Sequence, residues 1–325
     1  MRPKVYISSK VSDEVKAYLD QHCDCEMWQN PERAITGQEL ADKIGDVDGL
    51  LAAGNAISER LLSAAPKLRA VSNISVGYNH NDLDAMKKRG IIGTHTPYVL
   101  DDTVADLTLA LMLAAARRVT ELHNLVRAGG WQRGIGDQLF GLDVHHAKLG
   151  IIGMGRIGEQ IAKRAKFGFD MEVSYYNRSR KPETEERLGV NYAPLDELLG
   201  QSDFIVLMTP LTAETKHMIG AEQFNRMKRT AIFINVSRGE TVDEAALIEA
   251  LRDKRIYAAG LDVYEKEPVS ADNPLLQLDN VVTLPHIGSA TQKTRDDMAM
   301  VAARNLVDAL YGREPQYVIP ELKNG

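Results

Sequence analysis

Between Lys148 and Gly158 the chain reads Lys-Leu-Gly-Ile-Ile-Gly-Met-Gly-Arg-Ile-Gly, and Glu159 to Phe167 continues with helical spacing. An apolar strand thus runs into Gly153-x-Gly155-x-x-Gly158 and straight on into a helix. Three glycines alone say little, because glycines also cluster in plain loops; the strand before and the helix after supply the meaning. Gly153 can make the tight turn, Gly155 lets the backbone approach a pyrophosphate, and Gly158 lets helix and strand pack closely, with the phosphates at the helix N-terminus. The segment reads as a dinucleotide-binding crossover with Arg156 and Ile157 inside its turn.

The second strand of such a unit ends on the residue that meets the adenosine ribose. Here it reads Tyr176-Asn177-Arg178-Ser179-Arg180, and the Asp or Glu that would accept from a 2'-hydroxyl is absent. Asn177 carries no charge to repel a 2'-phosphate, Arg178 and Arg180 can give it charge-assisted hydrogen bonds, and Ser179 is a further donor. The alternative is that these arginines are only a solvated loop. The expected cofactor is NADP(H), with NAD(H) accepted at lower preference.

Short apolar runs recur along the rest of the chain: Val5 to Ile7, Gly49 to Ala53, Leu68 to Ile74, Ile91 to Ile92, Met171 to Tyr176, Phe204 to Met208, Ala231 to Val236, Ile256 to Leu261 and Val281 to Leu284. Helical or capped stretches lie between most of them. Continuous apolar strands separated by helices indicate an α/β fold of doubly wound parallel sheets covered on both faces, and there are strands enough for two. A length of 325 residues also fits two domains. Asp101 to Ala128 contains no Gly or Pro and spaces its apolar residues three and four apart, which predicts one long helix of about 40 Å at 1.5 Å per residue. A second helix is expected over Thr291 to Leu310, packed on either domain or returning across from one to the other.

Charge and cysteine content narrow the function classes. Lys and Arg number 39 against 45 Asp and Glu, a net charge of −6, so no sequence-independent grip on nucleic acid or an anionic membrane is expected. No apolar run approaches the roughly 18 residues of a membrane span, and the N-terminus enters a short strand without a signal-like core. Only Cys23 and Cys25 occur, too few for a disulfide framework and poorly spaced for a tetrahedral metal site. A cytoplasmic protein without a metal site is expected. His145 and His146 are adjacent, so on a strand they would point to opposite faces and could not share a metal; His217 reads as structural.

Three late strands each end in a polar group: Asn235-Val-Ser-Arg238, Leu261-Asp262-Val-Tyr-Glu-Lys-Glu267, and Leu284-Pro-His286. Ligands of open α/β sheets gather at the carboxyl ends of strands, so Arg238, Glu267 and His286 are expected in one cleft. Singly, each has an ordinary reading: a turn-capping arginine, a loop glutamate, a structural histidine. Together their chemistry is complementary. An arginine can hold a carboxylate and polarise an adjacent ketone, a histidine can pass a proton to the substrate oxygen, and a carboxylate beside an imidazole favours its protonated form and fixes its orientation. Reduction of a 2-keto acid needs these three functions.

The stretches Gly153-Met-Gly-Arg-Ile-Gly158, Asn235-Val-Ser-Arg-Gly-Glu240, Gly260-Leu-Asp-Val-Tyr-Glu-Lys-Glu-Pro268 and Pro285-His-Ile-Gly-Ser-Ala-Thr291 resemble the D-isomer-specific 2-hydroxyacid dehydrogenases over essentially the whole chain. Gly141-Leu-Asp-Val-His-His146 and the basic loop after the second strand are most similar to the branch of bacterial glyoxylate/hydroxypyruvate reductases that also act on 2-ketogluconate. The resemblance implies a Rossmann dinucleotide-binding domain inserted into a flavodoxin-like substrate domain: residues 1–99 substrate-binding, 100–287 dinucleotide-binding, and 288–325 a return to the substrate domain. It implies Arg238 as the ligand of the substrate's carboxylate and carbonyl, His286 as general acid in reduction, and Glu267 as its partner. It also implies Arg156 and Ile157 at the pyrophosphate, Thr209, Thr215 and Val236 lining the cofactor, and Asp262 near the carboxamide. Ser75-Val76-Gly77 resembles the family's carboxylate loop, but Tyr78-Asn79-His80-Asn81 departs from its commoner pattern, so only Val76 and Gly77 are carried over. A homodimer clasped through the long helix and the loop after it is implied as well, with Trp131 and Phe140 in the interface or in the core.

Other readings remain open at this point. An NAD-dependent relative such as a phosphoglycerate or lactate dehydrogenase is disfavoured by Asn177 and by the lack of a C-terminal regulatory domain. Formate dehydrogenase places Gln beside the histidine, where this chain has Glu267. A non-catalytic NAD(P)H-sensing protein of the same fold, like the family's transcriptional corepressors, would retain Arg238, Glu267 and His286 and yet turn nothing over.

Overall fold

The structure is a computed structural model that describes residues 2–30, 32–132, 134 and 136–323. Among the described residues there are twelve strands: β1 (Lys4–Ile7), β2 (Asp24–Met27), β3 (Gly49–Ala52), β4 (Ala70–Asn73), β5 (Ile92–Thr94), β6 (Lys148–Ile152), β7 (Glu172–Tyr176), β8 (Asn191–Tyr192), β9 (Phe204–Leu207), β10 (Ile232–Asn235), β11 (Ala258–Leu261) and β12 (Val281–Thr283). They form two sheets, one of five strands in the order β2-β1-β3-β4-β5 and one of seven in the order β12-β11-β10-β9-β6-β7-β8. All the pairings between these strands are parallel. The first sheet has the flavodoxin order and the second the Rossmann order, each with its switch point beside its first strand. The chain contacts divide it into Met1–Leu100 with Ala290–Gly325, and Asp101–Ser289.

Burial explains which runs became strands. β3, β4, β9, β10 and β11 are buried at every position, as central strands covered on both faces must be. β2 and β8 are absent from the apolar runs in the sequence because both are edge strands: Asp-Cys-Glu-Met alternates exposed and half-buried positions, and β8 is only Asn-Tyr.

The single long helix expected over Asp101 to Ala128 is two helices, Asp101–Ala116 and Val119–Arg127. Arg118 takes a left-handed conformation between them, with φ 54°. Its guanidinium pairs with Glu121 and donates to the carbonyls of Gln138 and Phe140. The Leu142 N–H takes the Ala116 carbonyl that a continuing helix would have used. Side-chain spacing does not report this break, because the returning loop makes it.

The helix Gln292–Leu310 belongs to the first unit, capped by Thr291 and packed on β3, β4 and β5. Ala299, Ala302 and Ala303 are buried, and the Ser72 hydroxyl donates to the Ala302 carbonyl at 2.7 Å. Past this helix Val318 bridges to Thr94, and the Ile319 N–H donates to the Gly93 carbonyl at 2.8 Å. Among the described residues no helix is long and apolar enough to cross a membrane.

Candidate active site

The glycine turn in the second unit is built as a phosphate cradle. Gly153 sits at φ 107° where a Cβ would approach the Met208 carbonyl oxygen at 2.6 Å, and a Cβ on Gly158 would meet the Gly153 carbonyl at 2.5 Å. Only glycine meets both demands. Nothing stands within 4 Å of a Cβ position at Gly155, and the 14-residue helix Arg156–Phe169 starts there, leaving its first amide groups for a ligand. The helix begins at Arg156 rather than Glu159, so Arg156 and Ile157 offer backbone N–H groups. The Arg156 guanidinium is ion-paired with the buried Asp101 at 3.1 Å. These features fit the pyrophosphate of a dinucleotide.

The loop after β7 distributes its polar residues unequally. The Asn177 carboxamide closes on Met154, accepting its N–H at 2.7 Å and donating to its carbonyl at 3.3 Å, so it ties the glycine turn to the end of β7. Arg180 makes a two-point ion pair with Glu185 at 2.5 and 3.1 Å. Glu185 also accepts from the Tyr175 hydroxyl, which in turn accepts the Lys181 N–H. Arg178 and Ser179 are exposed at the tip. Across the sheet, Thr209 donates to the Met218 sulfur, Thr215 donates to the Pro210 carbonyl and closes the loop after β9, and Val236 is buried beyond β10.

Strand register brings the catalytic candidates together. Asn235, Leu261 and Thr283 are aligned across β10, β11 and β12, so the residues that follow them leave the sheet at one end. His286 and Glu267 meet at 2.6 Å between Nδ1 and Oε2. Glu267 also accepts the Tyr264 N–H at 3.0 Å through its other oxygen. Burial alone would raise the Glu267 carboxyl; the hydrogen bonds from His286 and Tyr264, with the charges of His286 and Arg238, outweigh that and hold it below its usual value. Burial pushes the Arg238 guanidinium down, while Glu267 and Glu240 oppose the shift. Glu267 thus lies within electrostatic reach of both His286 and Arg238.

His286 itself is held in the left-handed region, at φ 53°. The Asp262 carboxylate accepts the N–H groups of the next two residues, Ile287 at 2.7 Å and Gly288 at 2.8 Å. Burial raises the Asp262 carboxyl against the pull of these N–H groups and of His286. Arg238 is set in a comparable way: its carbonyl accepts from the Asn235 side chain and the Thr241 hydroxyl. In the first unit, Val76 and Gly77 lie in the loop after β4. The Ser75 carbonyl accepts the Thr96 N–H, the Val76 carbonyl accepts from His95, and the Gly77 carbonyl accepts the Ser75 hydroxyl.

A family model described as the NAD binding domain of D-isomer specific 2-hydroxyacid dehydrogenases matches residues 109–288. Glyoxylate/hydroxypyruvate reductase B of Salmonella typhimurium is 49% identical over 313 residues, covering 96% of each chain. The chain belongs to the D-isomer specific 2-hydroxyacid dehydrogenase family. Among solved structures of similar fold, a glyoxylate reductase from Paecilomyes thermophila superposes with a TM-score of 0.88 at 29% identity over 99% of both chains. The NADPH-dependent glyoxylate/hydroxypyruvate reductase of Sinorhizobium meliloti, in complex with NADP and malonate, gives 0.87 at 32% identity over 99% of this chain and 98% of that one.

Within this family member, several supporting roles had no signal in the sequence. Asp262 as the latch of the His286 loop and His95 on the Val76 carbonyl join residues distant in the chain, and Asn235 and Thr241, each three residues from Arg238, hold its carbonyl through a turn that apolar periodicity does not report. His145 and His146 lie in a turn rather than on a strand, with ring centroids 5.0 Å apart edge to face. His217 pairs with Glu265 at 3.3 Å.

Proposed function

We propose that this chain is an NADPH-dependent reductase of small 2-keto acids, glyoxylate, hydroxypyruvate and 2-ketogluconate among them, that forms the D-2-hydroxy acids. The observation that carries this reading is the 2.6 Å contact between His286 and Glu267, in electrostatic reach of Arg238. Arg238 holds the substrate carboxylate and polarises the adjacent ketone, and the amides of Val76 and Gly77 are a second carboxylate-binding element. Because Nδ1 of His286 faces Glu267, its Nε2 is the nitrogen that presents a proton to the carbonyl oxygen as charge develops there. Glu267 stabilises the charged imidazole and fixes its plane. Reduced nicotinamide, when bound, supplies the hydride.

The relatives' names support the substrate class, and the Sinorhizobium complex with NADP supports the cofactor. The preference for NADPH over NADH rests on Arg178 and Ser179 at the tip of the loop and on the missing acid at Asn177. A cytoplasmic location and a homodimer are part of the same proposal. Val119, Val126, Trp131 and Phe140 are exposed, and Leu122, Leu125 and Leu139 join Trp131 and Phe140 around a cleft of about 570 Å³.

Initial-rate oxidation of NADPH and of NADH, with each of the three keto acids at matched concentrations, tests the proposal. Turnover with NADPH preferred is expected, and the ranking of kcat/KM names the substrate. NADPH binding without turnover would replace it with the sensing role.

A further inference from the structure

We propose that His95 is a positioning residue for substrate: it aims the Gly77 amide at the keto acid's carboxylate by fixing the Val76 carbonyl from behind. The inference rests on the reading of Val76 and Gly77 as a carboxylate-binding loop and adds to it the residue that sets the loop's geometry.

The argument starts from the peptide plane. In a trans peptide the carbonyl of one residue and the N–H of the next lie in one plane and point in opposite directions, so a hydrogen bond to the carbonyl also orients the N–H. In Ser75–Tyr78 three successive carbonyls are held. Thr96 N–H reaches the Ser75 carbonyl at 2.9 Å, His95 Nδ1 the Val76 carbonyl at 2.9 Å, and the Ser75 hydroxyl the Gly77 carbonyl at 2.8 Å. The N–H groups oriented in turn are those of Val76, Gly77 and Tyr78. None of these three donates in the hydrogen bonds among the described residues. Successive amides left for a ligand and fixed from behind form an anion-binding concavity.

His95 is the one side chain in this set that comes from another element. A carbonyl can only accept, so Nδ1 must carry the proton. The residue is anchored on both sides: its backbone N–H donates to the Tyr317 carbonyl at 3.1 Å, and its own carbonyl accepts from the Asn305 side chain at 3.4 Å. The imidazole also meets the Tyr78 ring edge to face, with centroids 5.2 Å apart. The helix Gln292–Leu310 and the segment after it thereby reach the loop through this histidine.

Loss of one such hydrogen bond is worth on the order of 10-fold, and it should appear in substrate binding alone. His95→Phe keeps a ring against Tyr78 and removes the donor; His95→Asn restores an N–H near the place of Nδ1. Rates would be measured with glyoxylate and with its neutral methyl ester, alongside NADPH affinity and thermal melting. His95→Phe is expected to raise the KM for glyoxylate about 10-fold, with the ester's kcat/KM and NADPH binding unchanged, and His95→Asn to recover most of the loss. An unchanged glyoxylate KM, equal losses for acid and ester, or no recovery in His95→Asn would overturn the proposal. Should His95→Phe fold poorly, His95→Leu makes the same contrast with His95→Asn. Val76→Pro, which deletes an N–H of the loop itself, separates the two levels. If it selectively costs the acid while His95→Phe does not, the loop binds carboxylate and the role of His95 falls. If Val76→Pro spares the acid too, the carboxylate loop is wrong.

Discussion

His286, the proposed proton donor, shows how much of a side chain's aim is set by the backbone and neighbours around it. A non-glycine residue at φ 53° sits in a region that costs on the order of 1 to 3 kcal/mol and persists only where its surroundings impose it. Asp262 supplies that imposition by accepting the two N–H groups that follow, and Glu267 fixes the ring. The strain and the latch together aim one nitrogen. His286→Ala leaves the phosphate cradle of Gly153, Gly155 and Gly158 untouched, so it should lower kcat by on the order of 10²-fold or more while NADPH binds as before. An unchanged kcat in steady-state assays would remove His286 from the reaction.

At the scale of elements, parallel register does the gathering. Three residues far apart in the chain leave aligned strands at one end of the sheet, whereas the loop after β7 divides labour between two arginines that look alike in sequence. Arg180 is spent on Glu185, a carboxylate only 16% exposed, and releasing it would strand that charge. Arg178 has no such commitment among the described residues. Arg178→Ala should therefore weaken NADPH by on the order of 10-fold or more and leave NADH alone. Arg180→Ala, by loosening the loop, should weaken both. Equal losses for the two cofactors in Arg178→Ala, read by fluorescence titration, would make that arginine structural as well. The broken helix belongs to this scale too: helical spacing continues through Arg117 and Arg118, and the Leu142 N–H on the Ala116 carbonyl, with Arg118 in the left-handed region, ends it.

For the whole molecule, one apolar surface stands exposed around Val119, Val126, Trp131 and Phe140. Trp131 and Phe140 are each 61% exposed, and burying one such side chain is worth about 1.5 to 3 kcal/mol. The proposed second copy of the chain would gain that energy by covering them. Replacing both with Asp should shift the sedimentation mass from dimer to monomer while the far-UV circular dichroism stays the same. A single-chain mass in the unaltered protein would instead leave these aromatics as solvent-facing residues.

The sequence alone determined what depends on local pattern. Buried parallel strands need unbroken apolar runs, a pyrophosphate turn needs glycines at set spacings, and polar groups placed just past strand ends are drawn to the same edge of a sheet. The two-sheet α/β fold, the dinucleotide turn and the gathering of Arg238, Glu267 and His286 past aligned strand ends were therefore legible. Tertiary structure decided what depends on neighbours distant in the chain. The edge strands β2 and β8 exist because β1 and β7 lend them hydrogen bonds, and Asp262 works as a latch because β11 and β12 are adjacent. Such contacts leave no periodicity to read, since a hydrogen-bond partner is specified by position in space and carries no signature in the residues on either side of it.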